Sequence, residues 1–507
     1  MEKETRTFNS IRNITFAAIN LIINLIIGLV LRTLFIRFLG NEYLGINSLF
    51  TSVLNIISMA EMGFTTVAVV SLYQPISEDN LSKLAQYVNY YKKTYIAIAV
   101  VTFGLGILLI PFLPYFVKTT QNIEGLYVYY ILFVLNSAVS YLCNYKLLVI
   151  QASQKEYLIS KQKIYVDIVT TFLQIIEMAV FHNYVMYLLL MIGGNFVGNF
   201  LGSRKLKDVY PTLNLKEKQG LEKIEKQNVW KNIYSNFTYK LGSLLLSNSG
   251  DIFISAFAGT GVLGIYSNYV LFLNLVKSVM KSIYEQIYNS IGNLNYGEDA
   301  EHRERIFEVC IMVYAFLLTI ALVGIYTCAD SVIEVWLGNK YLMDRSILAV
   351  ACLNYYFYMM AYPVTTFRVT SNYIKNSRYL SLIAASISIT LGIMFGERLG
   401  IVGVLGALLI ARMTTIFWYE PYILYKNVFK GSFFKYLMKQ LKYLVTIITL
   451  GILENWIFMH IEGTGILYTS IKICLSATIS IAIFCIINRT TPEFEYLYRK
   501  VKRERIK

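Results

Sequence analysis

Long apolar stretches, each ended by a short polar turn, follow one another along the whole chain. A hydrocarbon core about 30 Å thick needs roughly 20 apolar residues per helix. Stretches of that kind predict helices over 13–38, 43–74, 84–117, 123–151, 161–181, 184–203, 229–257, 262–288, 304–328, 347–370, 379–397, 400–425, 437–459 and 466–488. The pattern therefore predicts an all-α polytopic membrane protein of about fourteen transmembrane helices, with no stretch left over for a soluble domain.

Composition supports the same solvent. Of 507 residues, 56% are hydrophobic and 15% charged, and the mean hydropathy is +0.52, too apolar for a chain of this size to keep its surface wet in water. Orientation follows from lysine and arginine, which are retained in cytoplasmic loops. With the N-terminus inside, the basic segments 204–231, 426–442 and 489–507 all fall on the cytoplasmic side. Only Lys118, Lys340, Arg345 and Arg398 lie in outer loops, so both termini are expected inside. The net charge of +15 is then topology plus attraction to anionic lipid, and nucleic acid is not an expected partner. The first helix is too long for a cleavable signal and no small-residue cleavage site follows it. Six cysteines without paired spacing read as reduced packing residues. His182, His302 and His460 lack a second ligand at i+3 or i+4, so no metal site is expected.

One turn is written twice. FLGNEYLGINS at 38–48 returns as FAGTGVLGIYS at 257–267, with Gly40 and Gly259 in register at an offset of 219. An offset of that size, with the same starting orientation in each copy, predicts two six-helix lobes in parallel repeat enclosing a cleft. The expected organisation is an N-lobe at 1–203, a cytoplasmic linker at 204–228, a C-lobe at 229–428, and two further helices with a basic tail at 429–507.

Helical spacing shows what would line such a cleft. Asn236, Lys240, Ser243, Ser247 and Asp251 stay within a stripe of roughly 80° on one helix. At the offset of 219, Ser243, Ser247 and Asp251 fall on Asn24, Gly28 and Arg32. The second helix of each copy continues the theme, with Asn47, Thr51, Ser58, Glu61 and Thr65 in one and Ser267, Asn274, Ser278, Lys281 and Glu285 in the other. A charge near the middle of a bilayer costs about 2.5–3.5 kcal/mol even on the lenient scale, so it persists where it meets water, a partner or a substrate. Arg32, Glu61, Lys240, Asp251 and Arg412 are the candidates, with Arg37 nearer an interface. Cations outnumber anions among them, which suits an anionic headgroup such as a phosphate or diphosphate. The competing reading makes these residues structural ion pairs, Arg412 with Glu420 for instance. Equivalent depth suggests Arg32 and Asp251 as an outer gate pair, and Glu61 with Lys281 as an inner latch. Asp251 and Glu61 are also the acids able to hold a coupling cation, and the sequence leaves Na⁺ and H⁺ both open. Nothing in the pattern calls for catalytic residues or a cofactor.

The stretches RFLGNEYLGINSLFTSVLNIISMAEMGF, QASQKEYLISKQK, TYKLGSLLLSNSGDIFISAFAGTGVLGIYSNYV, SIGNL and EVWLGNKYL, in that order, resemble the polysaccharide-unit flippases of the multidrug/oligosaccharidyl-lipid/polysaccharide (MOP) exporter superfamily. The resemblance runs essentially end to end. It implies a Wzx-type flippase of the bacterial plasma membrane, carrying an undecaprenyl-diphosphate-linked oligosaccharide to the outer leaflet, with a polysaccharide polymerase and glycosyltransferases as partners. By position, Arg37 fills the family's Arg before the Leu-Gly turn, Glu61 with Gly63 its acidic-x-Gly motif, and Lys240 and Asp251 its Lys and Asp. Gly250 departs from the Thr or Ser the family often has before that Asp. Two rivals are a cation-coupled multidrug exporter of the same superfamily, for which an acidic, aromatic cleft is expected, and a membrane glycan polymerase or acyltransferase, which needs large outer loops or an intramembrane histidine.

Overall fold

The computed structural model describes residues 6–119, 123–215, 220–297, 299–371, 373, 377–461 and 463–504. All regular structure among them is helical. Contacts divide the chain into two compact units, the first ending at Gly264 and the second starting at Ile265.

The first unit contains α1 (Arg6–Phe38), α2 (Asn41–Ile57), α3 (Met59–Ser77), α4 (Leu81–Leu108), the one-turn α5 (Leu113–Phe116), α6 (Leu126–Ser140), α7 (Asn144–Ala152), α8 (Tyr157–Val180), α9 (Tyr184–Arg204), the one-turn α10 (Leu206–Val209) and α11 (Lys223–Ala258). Helix α12 (Thr260–Gly297) begins in the first unit and runs into the second. The second unit continues with α13 (Ala300–Leu337), α14 (Arg345–Thr370), α15 (Leu380–Thr414), α16 (Ile416–Asn427), α17 (Phe433–Met459), α18 (Ile466–Asn488) and α19 (Pro492–Glu504).

Polar residues in the turns fix where these helices start. The side chain of Asn80 accepts from the Lys83 amide at 2.9 Å and opens α4, Asp299 accepts from the His302 amide at 2.8 Å and opens α13, and Asp344 accepts from the Ser346 amide at 2.7 Å and opens α14. Each satisfies an amide that has no partner within its own helix, at about 1 kcal/mol apiece. Glu222 and Glu225 form a reciprocal capping box on α11.

Nine helices among the described residues are long and apolar enough to cross a membrane, or ten if the pair α6 and α7, bent by 45°, is one span. Two stretches that read as continuous in the sequence are therefore broken. The stretch 43–74 is split at Ser58 into α2 and α3, and 123–151 is bent between Ser140 and Asn144. Within α15 the helix is kinked at Gly400 (φ 56°, ψ −133°), a backbone conformation without strain only for glycine.

In the first unit α11 packs along α2 and α3, while α1, α8, α9 and α6 pack in sequence. A core of this unit joins Phe64, Ala68 and Leu72 of α3 to Leu84, Val88 and Tyr91 of α4, all nearly inaccessible. In the second unit α13 is central, touching α14, α17, α18 and α19. There the Arg368 guanidinium on α14 meets the Glu420 carboxylate on α16 at 3.1 Å, with side chains 1% and 0% exposed. Ser377 accepts from Arg368 as well. Removing one member would strand a charge in a low dielectric, at about 3–5 kcal/mol. Glu420 thus pairs with Arg368, and the alternative reading that paired it with Arg412 finds no such ion pair among the described residues. Lys439 on α17 bridges Glu308 on α13 (2.8 Å) and Glu493 on α19. Burial alone would raise the Glu493 carboxyl, yet its hydrogen bond and charge pairing with Lys439 hold it below the usual range.

Candidate functional site

The two repeated turns meet each other. Gly40 (φ 90°) precedes α2 and Gly259 (φ 97°) precedes α12, both in the positive-φ region that glycine alone enters freely. Each turn delivers a helix whose fifth residue is again glycine, and those glycines make the contact. A methyl group added at Gly45 would run into the carbonyl of Thr260, and one added at Gly264 into the carbonyl of Asn41. Since Thr260 stands at the repeat position of Asn41 and Gly264 at that of Gly45, the contact is reciprocal. The Asn41 amide donates to the Gly261 carbonyl at 3.1 Å, and the Thr260 hydroxyl donates to the buried Glu42 carboxylate. From the loop after α5, the Lys118 carbonyl accepts the Thr260 amide at 2.8 Å.

Below this junction α2 and α11 share polar side chains. The Asp251 carboxylate accepts from the Ser52 hydroxyl at 2.6 Å, and the Asn55 amide donates to Asn248 at 3.3 Å. Thr51, Asn55 and Ser247 on these helices are exposed, and a run of hydroxyl and amide groups is costly to leave to lipid. Arg32 and Lys240 are half-buried on α1 and α11, and Arg37 is exposed at the end of α1, where a cation complements the helix dipole. The side chains of Asn24, Glu61 and Asn236 lie outside the described residues, and with Glu61 goes the expected latch to Lys281. Lys281 itself pairs with Glu285, one turn along its own helix, at 3.5 Å.

The second unit carries its own polar face on α12, α14 and α15. Asn274, Ser278, Lys281 and Glu285 form an exposed stripe on α12. Opposite, Tyr355, Tyr358 and Tyr362 follow at i, i+3 and i+7 on α14 and share one face. The Tyr355 hydroxyl donates to Asn274 at 3.0 Å. Above the Tyr358 ring stand two cations, Lys277 Nζ at 5.0 Å from its centroid and the Arg412 guanidinium at 4.9 Å. The two charges are thus no farther than about 10 Å apart. Arg412 Nε is buried without a hydrogen-bond acceptor among the described residues. Two cations over one ring attract anions, and an arginine with an unused donor offers one hydrogen bond to an arriving oxygen.

Lys277 escapes the sequence reading because the polar stripe of α12 is stepped through Asn274, Ser278 and Lys281, which passes beside it. The signal was present all the same, as a lysine in the middle of an apolar span. No group of three or more His, Cys, Asp or Glu side chains among the described residues could hold a metal ion.

No family model and no curated protein matches the sequence. Solved structures do match. The fold is similar to "Lipid II flippase MurJ, inward closed conformation" at a TM-score of 0.67 and 16% identity, covering 94% of this chain and 99% of that one. It is similar to an inward-facing multidrug resistance MATE family transporter of the MOP superfamily at 0.58 and 10% identity, covering 79% and 94%. The MATE multidrug transporter DinF-BH, in complex with R6G, matches at 0.58 and 17%, covering 82% and 95%. The chain is a multi-pass membrane protein with the fold shared by MOP-superfamily flippases and transporters.

Proposed function

We propose that the protein is a flippase that moves a lipid-linked saccharide with a phosphate or diphosphate headgroup from the cytoplasmic to the outer leaflet of a bacterial plasma membrane. The observation that carries this reading is the pair of cations, Lys277 and Arg412, over Tyr358 on a membrane-embedded polar face. Such a face stabilises two negative charges and repels the organic cations that a multidrug exporter takes. The polyprenyl tail needs no polar route, since it can stay in lipid, so only the headgroup has to be accommodated. The work requires alternating access and no covalent chemistry.

In this reading the ten spans rise to fourteen when α1, the pair α2–α3 and α8 are added and the helical segment Leu380–Asn427 is taken as two at Gly400. The two lobes are 1–203 and 229–428, both termini are cytoplasmic, and undecaprenyl-diphosphate-linked oligosaccharide is the substrate handed on by glycosyltransferases and received by a polymerase. The junction of the two glycine turns is the outer gate. Arg32 and Asp251, at repeat-equivalent positions, are the pair that senses the arriving phosphates, and Asp251 and Glu61 are the carboxylates available to a coupling Na⁺ or H⁺. Arg37, Lys240, Asn24 and Asn236 extend the headgroup path, and Lys281 serves the inner side.

Depletion of the protein in its host tests the proposal. Lipid-linked oligosaccharide should build up in the cytoplasmic leaflet. An unchanged leaflet distribution, together with new sensitivity to cationic dyes, would transfer the protein to the drug exporters, the reading that the likeness to MATE structures favours.

A further inference from the structure

The sugar of such a substrate needs its own place, and tyrosines supply the chemistry. A pyranose presents C–H faces that stack on the electron-rich face of an aromatic ring, and hydroxyls that need hydrogen-bond partners. Tyrosine offers both an apolar body and a polar tip. Continuing along α12 and α14 from the two cations, the ring of Tyr362 lies 5.4 Å from that of Tyr284 at 36°, and Tyr284 lies 5.9 Å from Tyr288. Tyr362 is also 5.7 Å from Tyr358, so the ring beneath the cations and the ring of the tyrosine group are neighbours. All four are half-buried, whereas Tyr356 on another face of α14 is fully buried. Packing alone accounts for Tyr356. It does not account for a run of partly open rings beside an exposed polar stripe.

We infer that Tyr284, Tyr288 and Tyr362 form a saccharide subsite that stacks on the sugar adjoining the phosphates, while Lys277 and Arg412 hold the phosphates over Tyr358. The inference rests on the reading of the cationic face as a headgroup site. From Tyr358 to Tyr362 the rise along α14 is about 6 Å, which places neighbouring groups of one headgroup on neighbouring rings.

The test compares binding of two probes to the purified full chain in nanodiscs: undecaprenyl diphosphate, and the same lipid bearing one N-acetylhexosamine. The unaltered protein should bind the glycosylated lipid about tenfold more tightly. In the Tyr284→Ala/Tyr362→Ala double variant the ratio of the two affinities should collapse to about one, and Tyr284→Phe/Tyr362→Phe, which keeps the stacking faces, should retain most of the preference. Lys277→Gln/Arg412→Gln should weaken both lipids together and leave the ratio standing. If the alanine variant keeps the preference, or the unaltered protein has none, the saccharide subsite is wrong although the phosphate site stands. If the glutamine variant weakens neither lipid, the headgroup reading itself fails. A phenylalanine variant that loses the preference while its melting temperature is unchanged would also overturn the stacking role.

Discussion

The two copies of the glycine turn share a backbone and differ in what they hold out. Gly40 and Gly259 adopt nearly the same conformation, φ 90° and ψ 179° against φ 97° and ψ 158°, and each precedes a helix whose fifth residue, Gly45 or Gly264, seats the other copy. At the repeat positions around them the side chains diverge. Glu42 faces the place that Gly261 leaves empty, and its carboxylate would collide with any side chain added there. Deeper, Arg32 of one copy corresponds to Asp251 of the other. The repeat thus fixes the shape of the contact, while unlike residues at like positions make the two copies complementary.

Within the junction, filling the contact is the most damaging change. Gly45→Leu and Gly264→Leu each push a side chain into the carbonyl of a helix start, an overpacking that costs about 1–3 kcal/mol or more. As the proposed outer gate, the junction should then stay open. Labelling of a cysteine placed at Ser52 from the outer side should rise sharply, and transport should fall at least tenfold. Locking the contact is the mirror experiment. A disulfide between Asn41→Cys and Gly261→Cys, formed by oxidant, should stop transport and release it on reduction. Smaller still, Thr260→Val removes the donor to Glu42 and leaves a buried carboxylate short of one partner, at about 1–3 kcal/mol. Ser52→Ala deprives Asp251 of its hydroxyl partner at about 1 kcal/mol, read as a small fall in melting temperature without loss of folding.

Away from the turns, Glu420→Gln should be severe for a different reason. It strands Arg368 in the core of the second unit, at about 3–5 kcal/mol, and a drop in melting temperature should accompany any loss of transport.

Much of this was legible in the sequence, because helices in a bilayer must be apolar over a fixed length and because a repeat announces itself by its glycines. The polar faces of α2, α11 and α12 followed from spacing along a single helix. What spacing does not contain is which helix a side chain meets. Glu420 lies two turns from Arg412, yet it takes Arg368 on α14, and Asp251 takes Ser52 on α2. Neither choice has any signature within one helix. The break at Ser58 was hidden for a related reason, since its flanks remain apolar and no proline marks it. Lys277 sits one position off the polar stripe, yet it stands over the Tyr358 ring. Partners between helices are decided by packing, and a single sequence does not record them.

Transport by the purified protein in proteoliposomes bears most directly on the central claim. With undecaprenyl-diphosphate-linked saccharide on one side and a rhodamine dye as competitor cargo, the account expects the lipid to be translocated and Lys277→Gln/Arg412→Gln to abolish that movement while the dye stays where it is. Movement of the dye with the lipid left in place, unaffected by loss of the two cations, would contradict it.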